Sequence, residues 1–522
     1  MAISTLPLAV LKQILAFTSV GFEEDVVPDG PHLPLRDLRT LMSVSRAWQA
    51  VWQQIQDDFA TAVLDCTLDF NDDEALDGFK QEIRSRGALL RSLKLNCAPQ
   101  ESHFASELVD KHVDWLELFA WCPHLERLDL SEVSAVHLTP IIEASSRQCS
   151  SLQALILGED VDTPPIRHSV FTAMKRWKTR GCTRGLRQLR FPQTTSIKPN
   201  EAKGDEFLLQ VARFAPNIEY LDGWKASYVD LGRIKCSEQL LCSLSVWNRF
   251  CAACTSLREL NWVALPLNDA YFEAFSQFPK PKLETLVFAG VEGPRTADNA
   301  TGGCQYSTSG ITRLLTACPN LTTLHVVFDM NLDVDSPYCR QHLWNDDFFV
   351  GVGRSCLRLR ELSMLELDGG VLNSIPTPIE TISDTGIMAL AAIPDLRSLD
   401  LKATKCSGQG VFALMFGAPK TGSPRVVTLD VGCLFLEGFL DDDEEGIVTF
   451  YEVVLDTLQR LTTHEKQLEG RRFRITLKNN SRRDPDTPEW RESVQSLRSQ
   501  TSVCVVMEET DGRIDRMIFR SE

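Results

Sequence analysis

Long apolar runs are missing from this chain. No stretch of its 522 residues approaches 18 uninterrupted apolar positions, so no membrane-spanning helix and no membrane partner are expected. The N-terminus lacks a basic segment leading into an apolar run and a small-residue cleavage site, which speaks against a secretory signal. Positive charge is also short: 54 Lys and Arg stand against 71 Asp and Glu, a net charge of −17. Phosphate backbones bind positive surfaces, so nucleic acid is not expected as the main partner. Catalytic signatures are missing as well, with no G-x-x-x-x-G-K-[ST], no H-E-x-x-H and no G-x-S-x-G. Gly351-Val352-Gly353 lacks the third glycine and the preceding strand of a dinucleotide site. Cys251 and Cys254 have zinc-like spacing but no second ligand pair. The expectation is therefore no enzyme, no catalytic residue, no metal and no cofactor. The 16 cysteines form no convincing paired framework, which suits reduced thiols in the cytoplasm, the nucleus or both.

What the chain has in abundance is one pattern, clearest from Ile382 to Leu401. Ile387, Leu390 and Ala391 fall at i, i+3 and i+4, one face of a helix, with Asp384 and Gly386 at its start. Pro394 ends that helix, since it has no N–H and clashes with the preceding turn. Leu396-x-x-Leu399-x-Leu401 then alternates as a strand does. A helix and a strand this short cannot bury their apolar faces without copies beside them. The L-x-x-L-x-L frame indeed recurs from Leu90-Leu93-Leu95, through Leu125, Leu152, Leu186, Ile218, Leu257, Leu283, Leu321 and Leu359, to Val426-Leu429-Val431. Eleven frames in phase, their first positions running from 90 to 426, average about 34 residues apart. Leucine-rich repeats have periods of roughly 20–29 residues, so insertions are expected. Segments 160–184, 292–309, 329–347, 368–381 and 432–446 are rich in Gly, Pro or Asp and read as those loops. The last contains an acidic run, Asp441 to Glu445, which reads as a solvated loop with a basic-partner site as the alternative.

A cysteine stands just ahead of the frame at Cys122, Cys149, Cys254, Cys318 and Cys356, as in Cys122-Pro-His-Leu and Cys318-Pro-Asn-Leu. This resembles the cysteine-containing subclass of leucine-rich repeats. The implied fold class is α/β, a leucine-rich-repeat solenoid with a curved parallel sheet and outer helices, spanning 61–480. Past the acidic run, 447–461 reads as a helix and 472–477 as a strand. Thr487-Pro488 reads as an N-cap with Pro at the first helical position. Strands at 503–507 and 514–519 follow, so 481–522 reads as a capping unit.

Residues 1–60 do not follow the repeat. Leu6-Pro7 opens a helix in which Val10, Leu11, Ile14 and Leu15 share a face. After the loop 18–34 come Asp37-Leu38-x-x-Leu41 and Val44-Ser45-Arg46-x-Trp48. This segment resembles an F-box, with two departures: Ala9 stands where that family commonly has an acidic residue, and the loop 18–34 is longer than usual. An F-box joined to leucine-rich repeats resembles the substrate receptors of SCF-type, cullin–RING ubiquitin ligases. The resemblance implies that Leu6, Pro7, Val10, Leu11, Ile14, Leu38 and Leu41 dock on the Skp-family adaptor. It also implies that the solenoid captures a target protein. The alternative is a non-ligase leucine-rich-repeat scaffold whose first helices merely cap the array. A GTPase-activating repeat protein is a third possibility, but no exposed catalytic Arg or Asn could be singled out for it.

The strand pattern locates the expected target face. If the last two leucines of each frame point inward, the residues flanking and between them point to the concave side. That side then displays Arg127 and Asp129, Arg190, Tyr220 with Asp222 and Trp224, Glu259 and Asn261, His325, and Asp400. Tyr220 and Trp224 stand out because aromatic side chains are enriched at binding hot spots; the alternative is that this degraded unit buries them.

Overall fold

A computed structural model describes residues 49–50, 53, 61–69, 72–97, 113–158, 163–180, 185–191, 203–222, 242–261, 269–290, 307–329, 345–367, 382–431, 449–479, 487–510 and 513–521. They fall into two compact units, 1–198 with 206–224 and 199–205 with 225–522.

In the first unit β1 (Val63–Leu68), β2 (Ser92–Cys97), β3 (Arg127–Glu132), β4 (Ala154–Leu157), β5 (Gln188–Arg190) and β6 (Tyr220–Asp222) pair in parallel, each beside the next. The described connections contain α1 (Asp73–Arg86), α2 (Trp115–Ala120), α3 (Ala135–Gln148), α4 (Pro164–Arg180) and α5 (Lys203–Phe214). In the second unit β7 (Glu259–Asn261), β8 (Thr285–Gly290), β9 (Thr323–Asp329), β10 (Glu361–Leu367), β11 (Ser398–Thr404), β12 (Arg425–Val431) and β13 (Phe473–Asn479) repeat that arrangement. Their helices are α6 (Leu244–Ala253), α7 (Asp269–Ser276), α8 (Thr308–Thr316), α9 (Asp346–Ser355), α10 (Asp384–Ala391), α11 (Gly408–Phe416) and α12 (Phe450–His464). Within each unit the parallel strands follow chain order, and right-handed crossovers taken always in one direction put the described helices of that unit on one side of its strands. The fold is an α/β leucine-rich-repeat solenoid.

The leucine frame is what registers the strands. Leu93, Leu128, Leu155, Leu189 and Leu221 are cross-strand partners, and so are Leu260, Leu286, Leu324, Leu362 and Leu399. All are buried, and each fully buried leucine is worth about 1.5–3 kcal/mol. A slip of one residue would turn that whole stripe to the other face, so the register is strongly fixed.

One frame is displaced. Leu399 pairs with Val427 and Leu401 with Leu429, so the unit is Pro424-Val427-Leu429 and not the Val426-Leu429-Val431 expected from the pattern. Val426 faces away from the core and is 44% exposed. A second expectation also fails: segment 160–184 is no simple loop, because α4 occupies Pro164–Arg180. Pro164 and Pro165 read as loop punctuation, yet proline suits a first helical turn. Ile166, Val170, Ala173, Met174 and Trp177 then bury one face.

The repeating cysteines are buried thiols. Cys122 Sγ donates to Leu118 O at 3.9 Å, Cys149 Sγ to Cys122 O at 3.4 Å and Cys318 Sγ to Leu314 O at 3.6 Å. Burial pushes the Cys122, Cys254, Cys318 and Cys356 thiols up to about 12. Cys251 and Cys254 lie beside the buried Lys280, whose Nζ donates to Phe278 O at 2.7 Å and sits 4.0 Å over the Phe275 ring.

At the C-terminus Thr487 caps α13 (Pro488–Arg498), accepting from Trp490 N at 3.2 Å. The strands expected after it are β14 (Cys504–Thr510) and β15 (Arg513–Arg520). β15 pairs antiparallel with both β13 and β14, ending the parallel run.

Candidate functional site

With helices on the leucine side, the strand register sets the alternating residues of the opposite face in rows. In the first unit one row is Val63, Ser92, Arg127, Ala154, Gln188 and Tyr220; the next is Asp65, Lys94, Asp129, Ile156, Arg190 and Asp222. In the second unit the rows are Glu259, Thr285, Thr323, Glu361, Ser398, Val426 and Arg474, then Asn261, Val287, His325, Ser363, Asp400, Thr428 and Thr476. The described candidate residues therefore all stand on one face of their sheet, as the alternation requires.

Several of them are engaged or covered. Arg127 Nη2 lies 3.0 Å from Asp129 Oδ2, and both side chains are buried. Asp129 Oδ1 also accepts from Ser131 N at 3.0 Å. Burying a charge is tolerable only when it is paired, so this couple holds the face of β3 together before it offers anything to a partner. Tyr220 is 9% exposed and Glu259 5%, which brings Tyr220 close to the buried alternative. His325 Nε2 lies 3.5 Å from Glu361 Oε1 on the next strand. Arg190 and Asp400 are half-buried. Asp222 and Asn261 are placed by their backbone in β6 and β7. Trp224 lies outside the described residues, as do Leu6, Pro7, Val10, Leu11, Ile14, Leu38, Leu41 and the acidic run 441–445.

Sequence pattern alone passed over the residue just after each frame's first position. Its backbone ties each repeat to the one before: Glu126 N donates to Arg91 O at 2.8 Å, Gln153 N to Glu126 O at 2.7 Å, Arg187 N to Gln153 O at 2.8 Å and Glu219 N to Arg187 O at 2.7 Å. In the second unit Glu284 N donates to Arg258 O, Thr322 N to Glu284 O, Arg360 N to Thr322 O and Arg397 N to Arg360 O. In the early repeats these rung side chains cancel one another. Arg91 meets Glu126 at 3.2 Å, Arg187 meets Glu219 at 2.8 Å and Gln153 at 3.2 Å, and Arg258 meets Glu284 at 3.3 Å. The signal was present as Leu-Arg at 90–91, 186–187, 257–258, 359–360 and 396–397.

Arg425 takes the same position in β12 but turns inward and is fully buried. Its guanidinium donates to four carbonyls: Leu396 O at 3.0 Å, Ile393 O at 2.9 Å, and Ala391 O and Leu414 O at 3.2 Å each. Ala391 and Leu414 lie in the last turns of α10 and α11, where helical carbonyls lack partners, and Ile393 and Leu396 lie in the turn between α10 and β11. Burial, reinforced by the nearby Arg397 and Arg471, lowers its pKa to about 10.

No family model matches the chain, and no curated protein matches it. Among solved structures, the complex of Rad7 and Elc1 in yeast aligns at 15% identity over 85% of this chain and 92% of that one, with a TM-score of 0.42. The leucine-rich repeat-containing protein LegL7 from Legionella pneumophila aligns at 14% over 79% and 99%, with a TM-score of 0.32. The complex of TLR13 with ssRNA13 aligns at 14% over 66% and 40%, with a TM-score of 0.27. The fold assignment rests on this chain's own sheet.

Proposed function

We propose that this chain is the substrate-recognition subunit of an SCF-type, cullin–RING ubiquitin ligase. In this reading residues 1–60 form an F-box that docks on the Skp-family adaptor, and the helix-free sheet face binds a target protein. The subunit is non-catalytic and works in the cytoplasm, the nucleus or both. It acts by proximity, converting the meeting of target and ubiquitin-loaded E2 into an effectively intramolecular event. One observation carries the reading: the Leu6-Pro7 to Val44-Ser45-Arg46-x-Trp48 pattern ends only 15 residues before β1, the first strand of a repeat array whose sheet face carries polar and charged rows.

The test is co-expression with a Skp-family adaptor and pull-down of the wild type beside a Leu6→Ala, Pro7→Ala double variant. Stoichiometric capture that the double variant loses, with unchanged circular dichroism, is the expected result. A folded wild type that captures no adaptor would overturn it. Ala9 and the long 18–34 connection favour the scaffold reading in that event.

A further inference from the structure

From β10 onward the rung ladder stops cancelling itself. Arg360, Arg397 and Arg425 occupy three consecutive rungs, and Arg472 stands one residue ahead of the fourth, Phe473; Arg397 N donates to Arg360 O at 2.7 Å, Val426 N to Arg397 O at 2.6 Å and Arg425 N to Arg472 O at 2.9 Å. Two residues further along, Arg474 pairs across the sheet with Arg520 of β15. Arg425 is spent on buried carbonyls, as described above, but Arg360, Arg472, Arg474 and Arg520 are exposed and Arg397 is half-exposed. The one ion pair of these five among the described residues is Arg397 with Asp395, at 3.8 Å. Among the described residues no carboxylate comes within ion-pair distance of the other four. Their remaining contacts are weak neutralisers: Arg472 donates to Gly422 O at 2.5 Å, and Arg520 Nε to Cys504 Sγ at 3.2 Å.

We infer that this arginine rim is a docking surface for a carboxylate-rich peptide segment of a partner protein. The inference rests on the target-binding role proposed above and assigns it a place and a chemistry. Charge complementarity makes the case. In a chain with 71 acidic and 54 basic residues, five accessible arginines that among the described residues share a single ion pair, Arg397 with Asp395, are a local excess of positive charge. Guanidinium groups pair with carboxylates in two-point fashion. Strand order runs β10, β11, β12, β13, β15. Four strand spacings of about 4.8 Å give a rim of about 19 Å, the length of roughly six extended residues. A long polyanion such as nucleic acid would run off this rim onto a chain of net charge −17; a short acidic peptide stays on it.

The experiment uses the full chain and fluorescence anisotropy of a labelled hexaglutamate peptide, with hexaglutamine and a six-nucleotide oligothymidine as comparisons. Hexaglutamate is expected to bind, more weakly at 300 than at 50 mM salt, and hexaglutamine is not. Arg360→Glu, Arg472→Glu, Arg474→Glu together should weaken hexaglutamate at least tenfold, and the three Arg→Gln changes should do so less steeply. Arg258→Gln, whose arginine is already paired with Glu284, should change nothing. Unchanged binding in a triple variant of wild-type melting temperature would overturn the inference, as would equal binding of hexaglutamine or tighter binding of the oligonucleotide. Hexaglutamate binding that emerges only after Asp441 to Glu445 are changed to Asn and Gln would also overturn it, because the chain would then supply its own occupant. Adaptor pull-down on the same variants separates the two proposals. Peptide binding without adaptor capture sinks the ligase reading alone; adaptor capture without peptide binding sinks this one alone.

Discussion

Substituting Gly310 tests the device that links successive helices. Asp269, in the first turn of α7, reaches the start of α8: its Oδ1 accepts from Ser307 N at 2.8 Å and its Oδ2 from Ser307 Oγ at 2.7 Å. Asp346 does the same for Ser383, and Asp384 for Ser407, each also accepting a glycine amide, Gly386 N at 3.0 Å and Gly410 N at 2.9 Å. A Cβ added at Gly310 would lie 2.0 Å from Asp269 Oδ1, and the three nearest atoms all belong to that carboxylate. The carboxylate can swing away, so the cost is the two hydrogen bonds it gives up. Bonds to a charged group are worth about 1.5–3 kcal/mol each, but the pair shares one anchor and does not add fully, so about 3 kcal/mol is lost. Alanine recovers about 1 kcal/mol of helix propensity.

Gly310→Ala should therefore destabilise the wild type by about 2 kcal/mol. In an Asp269→Ala background the obstacle and the bonds are both gone, and the same change should stabilise by about 1 kcal/mol. The coupling is then about 3 kcal/mol with a reversal of sign. Urea titrations of the four proteins in the cycle, with hydrogen exchange at the Ser307 amide as the local readout, measure it. An equal cost of Gly310→Ala in both backgrounds would refute the reasoning.

Arg425→Met should cost more than about 3 kcal/mol, since four buried carbonyls lose their donor and each unsatisfied group costs about 1–3 kcal/mol; Arg425→Lys should recover only part of that, because an ammonium cannot span the four acceptors. A urea midpoint for Arg425→Met within 1 kcal/mol of the wild type would contradict it. Stability should also fall steeply in alkali. Burial raises the Cys66, Cys122, Cys242, Cys251, Cys254, Cys318 and Cys356 thiols from 9.0 to about 12. The folded state thus holds these protons after the unfolded chain has released them; the stabilisation is whole below pH 9 and is lost as pH rises towards 12. Melting temperatures that stay level from pH 8 to 11 would count against this, as would rapid native-state labelling of these thiols by a disulfide reagent at pH 8.

Much of the fold could be read in the sequence because one apolar stripe controls it. Every leucine from Leu90 to Leu401 assigned to a frame lands in the core where it is described. The reading slipped at Val426 because Arg425-Val-Val-Thr-Leu-Asp-Val431 offers two apolar phases. A buried arginine, satisfied by carbonyls of two preceding helices and the turn between α10 and β11, is invisible to periodicity. The candidate residues alternate with the buried leucines, as the strand period requires, so the same pattern that locates the core locates them. Its energetics were not legible. That Arg127 is consumed by Asp129, or that Tyr220 is covered, depends on packing that spacing does not encode. The linked helix starts show the intermediate case: Ser307-x-x-Gly310, Ser383-x-x-Gly386 and Ser407-x-x-Gly410 are visible as a pattern. Only the coordinates show that each glycine makes room for the preceding repeat's carboxylate.

The rung position explains how a surface of one sign can arise in such a repeat. Its backbone N–H and carbonyl join the neighbouring strands whatever side chain it carries, so folding fixes the main chain there and leaves the side chain open. Exposed ion pairs on it contribute about 0–1 kcal/mol each. Cancelling Arg187 against Glu219, or Arg258 against Glu284, therefore adds little to the fold, and a row of uncompensated arginines at β10–β13 removes little from it. Like charges on adjacent rungs repel by less than about 1 kcal/mol in water. That cost is small enough for the fold to carry, yet among the described residues no carboxylate within ion-pair distance relieves it at Arg360, Arg472 or Arg474. A carboxylate-rich peptide laid along the rim supplies the missing sign to all three arginines at once. The stability of the repeat and the specificity of the rim are thus set by different atoms of the same residues, which is why charge reversal on the rim should abolish docking while leaving the melting temperature where it was.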